Sequence, residues 1–248
     1  MGQYLGYSPF SILSSVFSTL SPHSMTPPTL ILGLLPGFAW LFFYLQEDPH
    51  PEPKRLIALT FVMGMASAIA AFIAEVGLGF VSALFNVHSA SLLPLGTFAL
   101  IEELAKFGAA YLAVHKQPAF DEPIDAVIYT VVAALGFATV ENLGAITGTG
   151  SQAALIASAF ETASFRFVGA TLLHTLTSGL VGYYWARAIR NFGAWNYIAL
   201  GLAIAAILHT IFNYLILTYG VFMYAVAFVT ILGFIAFHEF ETLRGETI

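Results

Sequence analysis

Leu93 to His115 reads LPLGTFALIEELAKFGAAYLAVH. A membrane-crossing helix needs about 20 mostly apolar residues, and this stretch has that length while carrying Glu102, Glu103 and Lys106 near its middle. Insertion scales charge roughly 2.5 to 3.5 kcal/mol for an ionisable group at the bilayer centre. Each of these three side chains therefore needs a partner or a task.

The rest of the chain sets the context. Of 248 residues 58% are hydrophobic and only 9% charged, against roughly 25% charge in a soluble domain. Mean hydropathy is +0.84, and 23 Phe, 11 Tyr and 3 Trp supply lipid-facing surface and interfacial belts. The fold class is an all-α polytopic transmembrane bundle. Fourteen acidic against eight basic residues, a net charge of −6, argue against nucleic acid as a partner, because there is no basic patch to displace counterions from phosphates. With no cysteine, disulfides and thiolate chemistry are excluded.

Residues 1–28 hold no Lys or Arg, so no cleavable signal is expected there. In Tyr4 to Leu20, Phe10, Leu13, Val16, Phe17 and Leu20 recur at helical spacing opposite Ser11, Ser14, Ser15 and Ser18, the pattern of an interfacial amphipathic helix. Pro22, Pro27 and Pro28 follow, which divides the chain into an N-terminal segment, 1–28, and a membrane-embedded domain, 29–248. Seven spans are expected: Thr29 to Gln46, Leu56 to Val76, Leu93 to His115, Pro123 to Ile146, Ser164 to Ala186, Trp195 to Tyr219 and Gly220 to Phe240. Gly77 to Asn86 either extends the second span or lies in the interface.

Six cations fall on one side of this topology: Lys54, Arg55, Lys116, Arg187, Arg190 and Arg244. The positive-inside rule then places the N-terminus outside and the C-terminus inside. Counting from the cytoplasmic loops at about 1.5 Å per residue, Glu103, His174 and His209 each lie roughly 20 Å in, and Glu141 slightly deeper. Four helices thus bring an ionisable residue to a similar height, nearer the outer face.

Glu102 and Lys106 are spaced i, i+4, and Glu103 and Lys106 i, i+3, so the ammonium can reach either carboxylate. The other carboxylate is then free for general-base work. His209 and Asn213, also i, i+4, present a donor pair able to polarise a carbonyl. Structural readings compete: an interhelical hydrogen bond for His174 or His209, an ion pair for the Glu102/Glu103/Lys106 group, helix packing for Glu141 and Asn142. Arg166, Glu161, Glu75 and His88 are expected as anchors near the outer boundary.

These residues resemble the PrsW family of intramembrane proteases, within the broader group of CAAX-processing and bacteriocin-processing membrane proteases. The resemblance rests on E-E-x-x-K at Glu102, Glu103 and Lys106, on the stretch from Phe120 to Leu143 with Glu141 and Asn142, on Arg166 and His174, and on H-x-x-x-N at His209 and Asn213. Where CAAX-type relatives usually have F-x-x-x-H, this chain has Phe137-x-x-x-Glu141, which favours the PrsW branch over prenyl-protein processing. The resemblance implies an endopeptidase in a prokaryotic plasma membrane, acting on a membrane-tethered substrate such as an anti-sigma factor. In it the glutamate pair activates water, His209 and Asn213 stabilise the oxyanion, and His174 and Glu141 position the water or bind a metal. Lys106, Asn142 and Arg166 support them.

A glutamic-type centre without a cofactor is the expected mechanism. A divalent metal such as zinc, with Glu103, Glu141, His174 and His209 as candidate ligands, stays open, although no H-E-x-x-H spacing is present. A proton or divalent-metal transporter and a non-catalytic scaffold of the same fold are the alternatives.

Overall fold

A computed structural model describes residues 26–46, 51–85, 91–146, 151–191, 193–220 and 222–245. The interfacial helix expected over Tyr4 to Leu20, and His88, lie outside the described residues. The described residues form helices and no strands: α1 (Pro27–Gln46), α2 (Lys54–Leu84), α3 (Leu92–Val114), α4 (Pro123–Ala145), α5 (Gln152–Val168), α6 (Ala170–Arg190), α7 (Trp195–Tyr219) and α8 (Phe222–Gly245). By length and composition α1, α2 over Lys54–Ser82, α4 and α7 can each cross a membrane. α3 matches them in length but carries its three charges.

Local chemistry sets the helix ends. Glu122 and Asp125 form a reciprocal capping box, with Pro123 opening α4. α7 stops at Gly220, whose φ of 60° is the left-handed conformation glycine tolerates. α2 continues past Gly77 to Leu84, so the stretch beginning at Gly77 extends the second span. The fifth span differs from expectation. Instead of one helix over Ser164 to Ala186, α5 runs to Val168 and α6 starts at Ala170, with the chain bending at Gly169. A β-carbon there would sit 2.8 Å from the Phe165 carbonyl oxygen, so only a residue without a side chain permits this bend. In sequence the bend is marked by one glycine alone, without a proline or a polar cluster beside it.

α4 is the central helix. Its apolar window is 78% buried in the bundle, against 22–33% for the other three membrane-length helices, so it packs on protein where they meet lipid. Small residues allow the close approach. Gly64 of α2 lies against the Ala133 backbone, Gly136 of α4 against the Phe61 carbonyl, and Gly182 of α6 against Ala126, Val127 and Thr130. Further along, Ala68 and Ala71 of α2 pack with Phe137 and Val140 of α4 and with Ile101 and Ala105 of α3. Residue numbers thus rise together along α2 and α4, so the two helices run parallel. Ile31, Phe42, Ile73, Leu112 and Phe234 remain exposed, which is surface fit for lipid tails rather than water.

Candidate active site

The parallel run of α2 and α4, with α3, α6 and α7 around them, carries the expected ionisable residues to one place. On α3, Lys106 Nζ lies 2.6 Å from Glu103 Oε1, and both side chains are fully buried. Of the two carboxylates within helical reach, the ammonium takes Glu103. The same Glu103 oxygen lies 3.1 Å from the Thr177 hydroxyl of α6 and 2.9 Å from His209 Nδ1 of α7. Three donors on one oxygen hold Glu103 as a carboxylate without water. Its other oxygen, Oε2, is buried without a hydrogen-bond partner among the described residues.

Proton positions follow from this network. An ammonium has no lone pair, so Lys106 donates to His174 Nδ1 at 3.0 Å. The His174 proton is therefore on Nε2, which donates to Glu141 Oε2 at 2.7 Å. His209 donates through Nδ1 to Glu103, which leaves the Nε2 lone pair facing Glu102, whose Oε2 is 3.7 Å away. That distance is too long for a hydrogen bond. Glu102 Oε2 is itself buried, with no hydrogen-bond partner among the described residues. The two imidazoles meet edge to face, with centroids 5.0 Å apart, and Phe137 closes one side with its ring 5.4 Å from Lys106 Nζ.

A second set of contacts supports Glu141. Arg166, read from its position as an interfacial anchor and by the resemblance as a support of the site, turns inward from the end of α5: Nη2 bonds Glu141 Oε2 at 3.1 Å and Nε bonds Asn142 Oδ1. Asn142 Nδ2 donates to Thr171 of α6 at 3.1 Å. The break at Gly169 puts Arg166 and His174 on two successive helices, and both reach the same oxygen, Glu141 Oε2. Trp40 of α1 secures the bend by donating Nε1 to the Phe167 carbonyl at 2.9 Å, its ring stacked on that of Phe167.

Burial grades across the site. Glu103 and Lys106 are fully buried, while the side chains of Glu141 and Arg166 are 30% and 22% exposed, so the mouth lies at Glu141 and Arg166. Asn213, half-buried one turn beyond His209, stands outside the hydrogen-bonded network among the described residues. Thr177 and Thr171 carry no charge and so give no signal in the sequence, although Thr177 lies on the His174 face at i, i+3. Glu75, placed by the sequence at the outer boundary, has a buried Oε1 with no hydrogen-bond partner among the described residues.

A metal fits part of this cluster. One ligand atom from each of Glu102, His174 and His209 lies within 4.8 Å of the others, and all three residues are buried. An oxygen and two imidazole nitrogens suit a zinc-type ion, which leaves a fourth position for water. The unpartnered Glu102 oxygen supplies a site that no protein donor fills. Of the expected ligands, Glu103 is committed to Lys106 and His209, and Glu141 to His174 and Arg166; Glu102 takes their place in the compact group.

Apolar helices closed around a buried carboxylate–imidazole cluster make this an all-α membrane protein with a candidate hydrolytic centre. The chain belongs to the PrsW family: the family model, described as PrsW family intramembrane metalloprotease, matches residues 52–237. Among curated relatives, "Protease PrsW" of Geobacillus kaustophilus is 29% identical over 157 residues, 63% of this chain and 64% of that protein. "Protease PrsW" of Oceanobacillus iheyensis is 25% identical over 222 residues, 88% of this chain and 97% of that protein. The Bacillus subtilis "Protease PrsW" is 25% identical over 190 residues, 74% and 80% of the two chains. No solved structure matches the chain.

Proposed function

We propose that this protein is an intramembrane endopeptidase that hydrolyses a peptide bond in a membrane-tethered substrate, such as an anti-sigma factor, towards the outer face of a prokaryotic plasma membrane. The observation that carries this reading is a pair of buried carboxylate oxygens, Glu102 Oε2 and Glu103 Oε2, that have no hydrogen-bond partner among the described residues and stand beside two imidazoles. Such oxygens are expensive to bury and are what a reaction with water requires.

Glu102, His174 and His209 would hold a divalent ion, His174 through whichever ring nitrogen leaves its present partner, Lys106 or Glu141. When bound, the ion would polarise the scissile carbonyl and lower the pKa of water. Counted as charges, Glu75, Glu102, Glu103 and Glu141 exceed Lys106 and Arg166 by two, the charge of one such ion. Glu103, held ionised by Lys106 and Thr177, takes the proton of the attacking water at Oε2. The water oxygen bonds to the carbonyl carbon, and the proton passes to the leaving nitrogen as the C–N bond breaks. Arg166 fixes Glu141, which orients His174. Asn213, one turn beyond His209 on α7, would donate its amide N–H to the developing oxyanion.

One observation favours a glutamic-type alternative: both ring nitrogens of His174 already have partners, Lys106 and Glu141. In that reading Glu102 is the general base and no ion is needed. Purified protein assayed on a transmembrane peptide with and without chelator, with metal content measured, separates the two. Loss of activity on chelation and recovery on adding zinc supports the metal reading, and chelator-resistant cleavage overturns it. Cleavage of a co-expressed tagged single-pass substrate by Glu103→Gln at the wild-type level would remove Glu103 as the base.

A further inference from the structure

We infer that Glu75 is a substrate-binding residue, its half-buried side chain accepting through Oε1 a backbone N–H of the unwound substrate segment at the mouth of the site. This rests on the proteolytic reading above and adds to it an acceptor outside the motif residues. The geometry starts from the face of α2 that packs on α4. Gly64 meets Ala133, and Ala68 and Ala71 pack with Phe137 and Val140. Glu75 follows Ala71 by four residues, so it continues the same face by one turn. Because α2 and α4 run parallel, that turn lies beside the next residues of α4, beginning with Glu141.

Glu75 is also close enough to Glu141 and Glu102 to feel their charge. It lies about 30 Å along α2 from Lys54, at the end of the site where Glu141 and Arg166 are partly exposed. Its Oε1 is buried and has no hydrogen-bond partner among the described residues. The neighbouring Glu102 Oε2, on a side chain facing the same region and only 7% exposed as a residue, has none either. The cations of the site are committed elsewhere, Arg166 to Glu141 and Asn142 and Lys106 to Glu103 and His174.

The requirement for such an acceptor comes from the substrate. A transmembrane helix hides its carbonyls in its own hydrogen bonds, so a bond can be cut only after local unwinding. Unwinding releases backbone N–H groups where there is little water to receive them. An acceptor at the mouth binds the unwound form and not the helix, and so favours the conformation the reaction needs. Glu75 is an unpartnered oxygen at that position.

The test is a backbone ester scan in nanodiscs. A single-pass peptide cut by the wild type is remade with each amide N–H flanking the scissile bond replaced in turn by an ester oxygen, which cannot donate. Affinity is followed by energy transfer to labelled protein, and cleavage separately. For one position the ester should weaken binding to wild type about tenfold, the scale of one buried hydrogen bond. In Glu75→Leu the amide peptide should bind about tenfold more weakly, with the same ester making no further difference. In Glu75→Gln, which keeps an acceptor oxygen, the loss should be smaller, and this variant carries the comparison if Glu75→Leu does not insert. An ester penalty undiminished in both variants, or no ester penalty at any position in wild type, overturns the assignment of Glu75 while leaving proteolysis standing. Absence of cleavage of every such peptide by wild type counts against proteolysis itself, and the binding comparison still decides Glu75.

Discussion

Lys106 and Glu103 share a 2.6 Å contact in a place with no exposed surface. Removing one partner leaves a buried charge, so Lys106→Met should lower stability by about 3–5 kcal/mol. The double variant Glu103→Gln/Lys106→Met should recover much of that loss, because no uncompensated charge remains. Thermal unfolding of the detergent-solubilised variants measures both, and additive losses would contradict the coupling. At Arg166 the expectation concerns activity. The guanidinium spans Glu141 and Asn142 with two different nitrogens, which a lysine point charge cannot do. Arg166→Lys should therefore reduce kcat by about tenfold or more while shifting the unfolding temperature little, since the site is partly open there. Unchanged kcat would make Arg166 the interfacial anchor its sequence position suggested.

Between helices, stability depends on a few places where a side chain cannot fit. A β-carbon at Gly136 would run into the Phe61 carbonyl, whereas one at Gly77 meets nothing within 4 Å. Gly136→Val should destabilise by about 1–3 kcal/mol or more through overpacking, and Gly77→Ala should stabilise by roughly 0.5–1 kcal/mol through helix propensity. The opposite signs are readable in one unfolding series. Helix existence was legible from sequence because 20-residue apolar runs leave little choice in lipid. The α5–α6 bend was not, because a lone glycine is common inside membrane helices, and what marks Gly169 is the room a β-carbon would lack beside the Phe165 carbonyl and the Phe222 ring.

Over the whole molecule, charge asymmetry makes one further prediction. With six cations expected on one side, reporter fusions at the C-terminus should read cytoplasmic and those in the α4–α5 loop, residues 147–150, should read external. The reverse pattern would invert the proposed face of cleavage. Shared depth also carries the candidate site: Glu103, Glu141, His174 and His209 stand at similar height by counting along helices, and the folded chain joins them through Lys106 into one network.

By itself the sequence determined that the chain is a helical membrane protein and that a small set of acids and histidines stands at one level in it. Length, hydropathy and helical rise are properties of each segment alone and need no partner. Tertiary structure decided which groups touch. It paired Lys106 with Glu103 rather than Glu102, turned Arg166 inward to Glu141, and grouped Glu102 with His174 and His209. The reason is rotational: sequence spacing gives a residue's height on its helix, but the facing of one helix against another is set by close contacts such as Gly64 on Ala133, which exist only once the bundle has formed.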